Sequence, residues 1–354
     1  MSRDYKDETF GKAEAKLDEL IAQLPRACTE FLRSRSTEPT SRVTYAHTLK
    51  MFFDYLTDKG RFAGKEPRGL LSEDVYSVTR DDIKEFISDA STRPSRSSKK
   101  AFKEAFASKV GNNTLNGYLC AISSFYEFLQ VEGRIDNNPA KGIRRAKKDT
   151  HEIIYLEHAD ADQLIDNVFE GTGLTKLQRA CRDKHDTAIR DACMIKILCN
   201  TGIRVSELVG LDVDDYEKDK KCLHIIRKGN KEARVYLSDE ASELLDGYLD
   251  NRDSYSPVPG EKAIFLVAVG TYKGTRISVR SVEKLVHKYA DTLGVYASNQ
   301  VAPHKLRSTF AMNLLEKTGD IALVQKRLGH KNAATTAIYA ETLDSKVESS
   351  RNLI

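Results

Sequence analysis

The chain of 354 residues has no tryptophan, and no stretch approaches the roughly 18 to 20 consecutive apolar residues that a membrane helix needs. Its start, MSRDYKDETFGKAEAK, has no apolar segment of the kind found in signal peptides. Neither sign of charge predominates, because the chain has 56 basic and 52 acidic residues. The missing membrane helix and signal peptide predict a cytosolic protein, and an ordinary composition with only 20 glycines and 8 prolines argues against a fibrous or disordered chain. The length predicts two globular domains.

Cysteine is scarce and forms no C-x-x-C pair, which argues against a zinc cage or a disulfide framework. The contexts are apolar or helical, so reduced core thiols are predicted. The six positions are Cys28, Cys120, Cys181, Cys193, Cys199 and Cys222.

Basic charge is concentrated in the first part of the chain. Residues 1–150 hold 27 basic and 22 acidic side chains, a balance of +5, whereas residues 151–354 hold 29 and 30, a balance of −1. Residues 141–148, KGIRRAKK, contain no acid and are called the basic strap below. The basic strap is a candidate phosphate-binding segment, and a solvated interdomain linker is the alternative interpretation.

Apolar residues at helical spacing predict helices over residues 44–60, 80–89 and 115–133. Their apolar stripes are interpreted as core, so the first part of the chain is predicted to be a helical bundle. The basic, serine-rich stretch at residues 91–109 interrupts it and reads as a loop or a surface helix.

The composition changes near residue 150, where we place a domain boundary. A helix is predicted through Cys193–Leu198, followed by strands KCLHIIR and ARVYL on either side of a turn at Lys228–Lys231. Three more helices are predicted after Ser278, Pro303 and Asp320. The second part therefore mixes helices with a small sheet.

Two short motifs bring together residues suited to anion chemistry. Pro303 fits the first turn of a helix, and the i, i+3 spacing of His304 and Arg307 places both on one face, where they can converge on an anion. Gly329 ends another helix and directs His330 away from it, and Tyr339 follows in a predicted short helix. Taken singly, each motif is also compatible with an ordinary surface.

Two further motifs have equally plain alternatives. In TGIRVSEL, Gly202 breaks a helix, and Arg204 and Glu207 at i, i+3 would form a surface ion pair in the simplest interpretation. Lys228 at the hairpin tip would be a solvated turn lysine.

Together and in order, the segments TGIRVSEL, RKGNKEARV, HKLRSTFA, LGH and TTAIYAE resemble the active-site motifs of tyrosine site-specific recombinases, the lambda-integrase family. The likeness is greatest to Xer-type and simple integrase members. It implies a mainly α fold with a small β-sheet, made of a helical core-binding domain and a mixed α/β catalytic domain. The implied divisions are an N-terminal extension (1–24), a helical core-binding, SAM-like DNA-binding domain (25–143), a basic linker (144–150), a catalytic domain (151–342) and a C-terminal tail (343–354) that neighbouring protomers could exchange.

The resemblance also implies roles. Tyr339 would attack the scissile phosphate and form a 3'-phosphotyrosyl intermediate, and it needs help because a phenol of pKa about 10 is a poor nucleophile at neutral pH. Arg204 and Arg307 would clamp the non-bridging oxygens, and His304 would accept the tyrosine proton.

Three more positions complete the implied site. Lys228 would protonate the leaving 5'-oxygen, His330 would donate a hydrogen bond to the phosphate, and Glu207 would support Arg204 from behind. No cofactor and no metal are expected, because arginines would supply the positive charge and the tyrosyl ester would conserve bond energy.

The implied partner is double-stranded DNA carrying a crossover site with inverted-repeat arms. A homotetramer on two sites, or a heterotetramer with a related recombinase, is expected, together with accessory proteins in some family members, action at the nucleoid in the cytoplasm, and no membrane. Candidate DNA-contacting residues are Lys141, Arg144, Arg145, Lys147 and Lys148 of the basic strap, with Arg280, Lys284 and Lys288 on the helix after Ser278.

The resemblance leaves alternatives open. Dimer resolution, integration or excision of a mobile element, and plasmid resolution all fit a recombinase. A type IB topoisomerase shares the chemistry, a catalytically silent DNA-binding protein shares the fold, and a metal-dependent nuclease is disfavoured because no carboxylate cluster stands at ligand spacing. Compared with compact Xer-type members, the chain is longer at residues 1–24, 91–109 and 171–187.

Overall fold

The computed structural model describes residues 3–93, 109–147, 153–227, 231–294, 301–330 and 332–349. Contacts divide the chain into two units. The first contains residues 7–151, and the second contains residues 152–354 together with the first six residues. Most of the predicted 91–109 insertion, the hairpin tip with Lys228, and Lys148 of the basic strap lie outside the described residues.

The first unit is helical, as predicted, and its core is formed by the stripes seen in the sequence. Leu49, Phe52 and Phe53 on one helix and Phe125 on another are fully buried together. Thr79 caps the helix that follows it, and its hydroxyl accepts from the backbone N–H of Asp82. The helices are α1 (Arg3–Ile21), of which only the residues from Asp7 onward belong to this unit, α2 (Arg26–Ser34), α3 (Pro39–Asp58), α4 (Ser72–Tyr76), α5 (Arg80–Thr92) and α6 (Asn112–Val131).

Two boundaries in this unit differ from the prediction. Helix α3 begins at Pro39 rather than near Thr44, because a proline in the first turn does not remove a helix hydrogen bond. The predicted N-terminal extension is mostly helix α1, whose residues Leu17, Leu20 and Ile21 are buried in the core of the first unit.

The described part of the basic strap has no helix or strand and is held through its backbone. Asn116 on α6 donates to the carbonyl of Ala146 at 2.9 Å and accepts from its N–H at 3.0 Å. Arg80 donates to the carbonyl of Lys141 at 2.9 Å. Fixing the backbone in this way leaves the side chains of Arg144 and Arg145 exposed.

The second unit combines helices with one small antiparallel sheet, as the family resemblance implies. The strands are β1 (Tyr216–Glu217), β2 (Cys222–Arg227) and β3 (Lys231–Tyr236), in the order β1-β2-β3, with His224 opposite Arg234. The helices are α7 (His158–Glu170), α8 (Lys176–Lys184), α9 (Ala188–Thr201), α10 (Val205–Val209), α11 (Asp239–Asp250), α12 (Val279–Ala290), α13 (Pro303–Thr318), α14 (Ile321–Leu328) and α15 (Ala334–Ser349).

The chain enters the second unit against helix α13. The backbone N–H of Leu156 donates to the Thr309 hydroxyl at 2.9 Å, and Tyr155 donates to Glu316 at 3.3 Å. Ile153 and Tyr155 pack against an apolar cluster that contains Tyr339. The residues that follow the domain boundary are therefore part of the packing around α13.

The prediction that all six cysteines are core thiols is wrong for Cys181, which is exposed. Cys181 lies on α8, and no residue of this helix is buried. The helical sequence around Cys181 was therefore not evidence for burial of its thiol. Among the described residues, no helix is long and apolar enough to cross a bilayer.

Candidate active site

Arg307 connects helix α13 to the C-terminal ends of α9 and α14 through hydrogen bonds. It lies on α13 with only 4% of its surface exposed. Its Nη1 donates to the carbonyl of Gly202, just after α9, and its Nη2 donates to the carbonyl of Leu328, the last residue of α14, at 2.7 Å. Carbonyls at helix C-termini carry partial negative charge, so they suit a buried cation. Burial, followed by the nearby charge of Arg204, lowers the pKa of Arg307 to about 10.

Glycines make both helix ends possible. Gly202 and Gly329 follow α9 and α14 with φ angles of +63° and +67°, a region that side chains rarely adopt. A Cβ on Gly202 would overlap the ring of Phe310 and approach Leu328 to 3.0 Å. The predicted helix breaks at these glycines are thus required by both the backbone and the packing.

Glu207 holds Arg204 from the interior. Only 3% of Glu207 is exposed. Its carboxylate accepts from the backbone N–H of Arg204 at 2.8 Å and from Nη1 of the guanidinium at 2.9 Å. The Arg204 side chain remains 38% exposed. A buried carboxylate and a half-exposed guanidinium form an oriented cation facing solvent, rather than the surface ion pair of the simplest interpretation.

Two histidines near the arginines have lowered pKa values. His304 is exposed in surface area, yet neighbouring protein atoms displace enough water to lower its pKa, and the charge of Arg307 acts in the same direction. Burial, followed by Arg307 and Arg204, lowers the pKa of His330 to about 4. Both rings are therefore neutral near pH 7.

The position of His330 is fixed at both its backbone and its ring. Its carbonyl accepts from Gln325 Nε2 at 3.2 Å, and its Nδ1 lies 3.0 Å from the hydroxyl of Thr336. Thr336, of which 1% is exposed, was not among the predicted site residues. It lies within TTAIYAE, but no feature of the sequence indicated that its hydroxyl would face a histidine.

Tyr339 lies on α15 and is buried, with 6% of its surface exposed. The predicted short helix is in fact 16 residues long. Tyr339 is close enough to influence the pKa of Arg307. Its apolar cluster also contains Phe310, Ala311, Met312, Leu315, Val324 and Leu328.

Arg227 is a third guanidinium beside these groups that sequence reasoning missed. It ends β2, and its Nη2 donates to the carbonyl of Arg327 at 2.7 Å. Its charge contributes to the lowered pKa values of Arg307 and His330. The only signal in the sequence was its position directly before Lys228.

The predicted DNA-contacting residues differ in their surroundings. In the first unit, Lys141, Arg144, Arg145 and Lys147 are exposed. In the second unit Arg280 and Lys284 are exposed on α12, whereas the ammonium of Lys288 lies 3.3 Å from the buried carboxylate of Asp191 and 3.9 Å from the centre of the Tyr289 ring. Lys288 is thus held inward, unlike the other residues of this set.

The described residues thus combine Arg204, Arg307 and Arg227 with the single acid Glu207 and two neutral histidines. Such a set is chemically suited to bind an anion and to stabilise negative charge that grows on it. In the parts of the chain that the structure covers, no three His, Cys, Asp or Glu side chains form a group able to hold a metal ion.

Comparisons with known proteins identify the family and the fold of this chain. The model of the phage integrase family matches residues 167–346. The tyrosine recombinase XerC of Proteus mirabilis is 33% identical over 219 residues, 62% of this chain and 64% of that protein. The XerC of Salmonella typhi is 34% identical over 231 residues, 65% of this chain and 69% of its own length. The match thus spans slightly less than two thirds of the first relative.

Among solved structures, a complex of the XerH recombinase with a palindromic difH substrate has a TM-score of 0.64 at 20% identity, covering 89% of this chain and 80% of that one. A lambda integrase dimer bound to a core site has a TM-score of 0.58 at 17% identity, covering 88% and 91%. At these identities the likeness establishes the fold.

Proposed function

The chain belongs to the phage integrase family, and from this premise we propose that it is a site-specific recombinase that cleaves and rejoins duplex DNA through Tyr339. The observation that carries the proposal is the gathering of α9, α13 and α14 by Arg307. This single side chain joins the segments that hold Arg204, His304 and His330 into one cationic site beside the helix of Tyr339.

In the proposed first step, the Tyr339 oxygen attacks the phosphorus of the scissile phosphodiester. The bond from phosphorus to the 5'-oxygen breaks, so a 3'-phosphotyrosyl ester and a free 5'-hydroxyl result. Arg204 and Arg307 stabilise the additional negative charge of the pentacoordinate state, because guanidiniums donate paired hydrogen bonds to phosphate oxygens. Glu207 and the two helix ends keep these guanidiniums in place before DNA binds.

Proton transfers complete the step. His304, which is neutral near pH 7 because of its lowered pKa, accepts the Tyr339 proton. His330 donates a hydrogen bond to the phosphate from the ring edge opposite Thr336. The family resemblance assigns protonation of the 5'-oxygen to Lys228. In the reverse reaction a 5'-hydroxyl from a second duplex attacks the ester, which restores Tyr339 and exchanges strands.

Burial of Tyr339 adds one requirement to the mechanism. With only 6% of its surface exposed, Tyr339 must become more accessible to reach a phosphate of duplex DNA. Movement of α15 on DNA binding would supply this exposure.

The partners in this proposal are an inverted-repeat crossover site and other copies of the chain. A tetramer on two sites, or a heterotetramer with a related recombinase, provides the two duplexes that exchange strands. The basic strap and α12 supply phosphate contacts through Arg144, Arg145, Arg280 and Lys284, which are exposed. Both dimer resolution and integration of a mobile element use this chemistry.

Covalent capture tests the proposal. Wild type and Tyr339→Phe are incubated with fragmented genomic DNA of the source organism, denatured, and the protein-linked fragments are sequenced. We expect wild type alone to enrich one short inverted-repeat site, whose genomic address identifies the biological role. Specific binding before denaturation without covalent DNA from either protein would instead support a silent DNA-binding protein.

A second assay separates recombination from topoisomerase activity. Plasmids carrying two captured sites are incubated with wild type, and the products are resolved by size. Exchange between the sites is expected. Relaxation of supercoils without exchange would support the topoisomerase alternative.

A further inference from the structure

Arg227 reaches from the sheet to the end of helix α14. It is the last residue of β2 and pairs with Lys231 on β3. Its Nη2 donates to the carbonyl of Arg327 at 2.7 Å, and its Nη1 occupies the space that a Cβ on Gly329 would require. The guanidinium therefore lies directly on the backbone that leads into His330.

Two guanidiniums from different elements hold the last carbonyls of α14. Arg307 binds the carbonyl of Leu328, and Arg227 binds that of Arg327. These carbonyls lie at the negative end of the helix, where cations are stabilised. Because His330 follows after one glycine, the two contacts together determine where its backbone leaves the helix.

Arg227 has little local compensation for its charge. It is half-buried, and its Nε is buried without a hydrogen-bond partner. Burial lowers the pKa of Arg227, Glu207 opposes this effect, and Arg204 adds to it. Glu207 is already bonded twice to Arg204. A partly desolvated cation with so little compensation is costly, which argues for a role beyond packing.

Building on the proposed function, we infer that Arg227 is a positioning residue for the phosphate site, which fixes Gly329 and His330 in the geometry needed for the transition state. It acts through the α14 carbonyl and the glycine backbone rather than by touching the reacting atoms. The planar, forked guanidinium is required for this, because one edge binds the carbonyl while another lies on the glycine.

The first arm of the test measures cleavage. Arg227→Met, Arg227→Lys and the control Arg234→Met, at an exposed arginine on β3, are compared with wild type on a nicked duplex of a captured site. Single-turnover formation of the covalent complex is followed at saturating protein, and affinity is measured separately. Positioning predicts a loss of about 10- to 100-fold for both Arg227 variants, with affinity within about threefold of wild type. The control should match wild type.

The lysine variant separates geometry from charge. Arg227→Lys keeps the positive charge but cannot bind in a fork, so positioning predicts that it fails like Arg227→Met. Cleavage by Arg227→Lys at the wild-type rate would overturn the inference. Equal thermal unfolding midpoints would show that neither loss arises from misfolding.

The second arm needs no activity and separates this inference from the proposed function. Histidine-labelled protein without DNA is titrated by NMR, and His330→Gln assigns the His330 signals. Arg227→Met and Arg227→Lys should both shift those signals, because each variant loses the forked contact that positions the backbone before His330. Unchanged His330 signals in both variants would overturn the inference, whereas a wild type that never forms covalent DNA would overturn only the proposed function.

Discussion

At position 329 the backbone and its neighbour both require glycine. The φ angle is +67°, and a side chain would overlap Arg227. Gly319, after α13, has nearly the same φ, +64°, but a Cβ there would meet nothing within 4 Å. Substitutions at these two glycines therefore distinguish the cost of backbone strain from the cost of steric overlap with Arg227.

Gly329→Ala and Gly319→Ala should differ in a predictable way. Both lose about 1 kcal/mol to a left-handed alanine. Gly329→Ala should lose about 1 kcal/mol more, because Arg227 must move and give up its hydrogen bond to Arg327, and it should also lose covalent complex formation. Denaturant unfolding and capture on a cleavable site measure these effects. Equal losses in the two variants would show that Arg227 does not press on the glycine.

The lowered pKa of His330 links stability to pH. The folded state holds it at about 4, against an ordinary value of 6.5, so the unfolded chain binds more protons between these values. Its contribution to the free energy of unfolding is fully present above pH 6.5 and is lost as the pH falls towards 4. The stability of wild type relative to His330→Gln should therefore fall between pH 7 and pH 5 in urea titrations.

A control for this pH series is His287→Gln, at an exposed histidine on α12. A stability difference between wild type and His330→Gln that stays constant with pH would contradict the assigned burial of the ring.

Residue-level prediction from the sequence had a clear limit. Gly202 and Gly329 were predicted as helix breaks, because glycine after an apolar stripe has a local signature, and both cap helices in the structure. Arg227, Thr309 and Thr336 were not predicted, because each acts on a group that is distant along the chain or faces a direction that periodicity does not reveal. The roles of the predicted catalytic residues stay predictions that the capture experiment tests.

At the scale of elements, one asparagine of α6 holds the basic strap at Ala146, while Arg80 holds it at Lys141. Both hydrogen-bonding groups of the Asn116 amide are used by the backbone of Ala146. Asn116→Ala should lower the free energy of unfolding by about 1 to 2 kcal/mol, since each hydrogen bond is worth about 1 kcal/mol. It should also weaken duplex binding although no cation is lost. Asn113→Ala, at an exposed position on α6, is the control, and equal affinities of the two variants would contradict the tether.

Helices with regular apolar stripes were predicted well. The apolar stripes of α3 and α6 are buried in the structure. They could be predicted because the period of 3.6 residues is a property of the α-helix itself and can be read from the sequence alone. Residues 1–24 were interpreted as an extension because the chain is longer there than compact Xer-type members, yet the C-terminal end of α1 is buried in the core. The length of α15 was underestimated, because the polar residues that follow Tyr339 hide the pattern.

At the scale of the whole molecule, charge is distributed unevenly. Residues 1–150 carry a balance of +5 and residues 151–354 one of −1. If the basic strap contacts phosphates, replacing Lys141, Arg144, Arg145 and Lys147 together by glutamine should reduce the slope of log affinity against log salt. The reduction is at most about 3.6, from about 0.9 per phosphate contact. Fluorescence anisotropy over a salt series measures it.

The matched control replaces Lys218 and Lys220, which already pair with Asp246 and Glu217. Their removal should leave the salt slope unchanged. An unaltered salt slope in the strap variant would support the alternative interpretation, in which the basic strap is a solvated linker.

The hydrogen bond from Leu156 to Thr309 has a mechanical consequence. It lies only a few residues beyond the division between the two units, on the helix that carries His304 and Arg307. Tension along the linker would thus be borne first by α13 and by Ile153 and Tyr155, which pack in the cluster of Tyr339. A force applied across the linker would act on α13 at the Thr309 hydroxyl, two residues from Arg307 along the same helix.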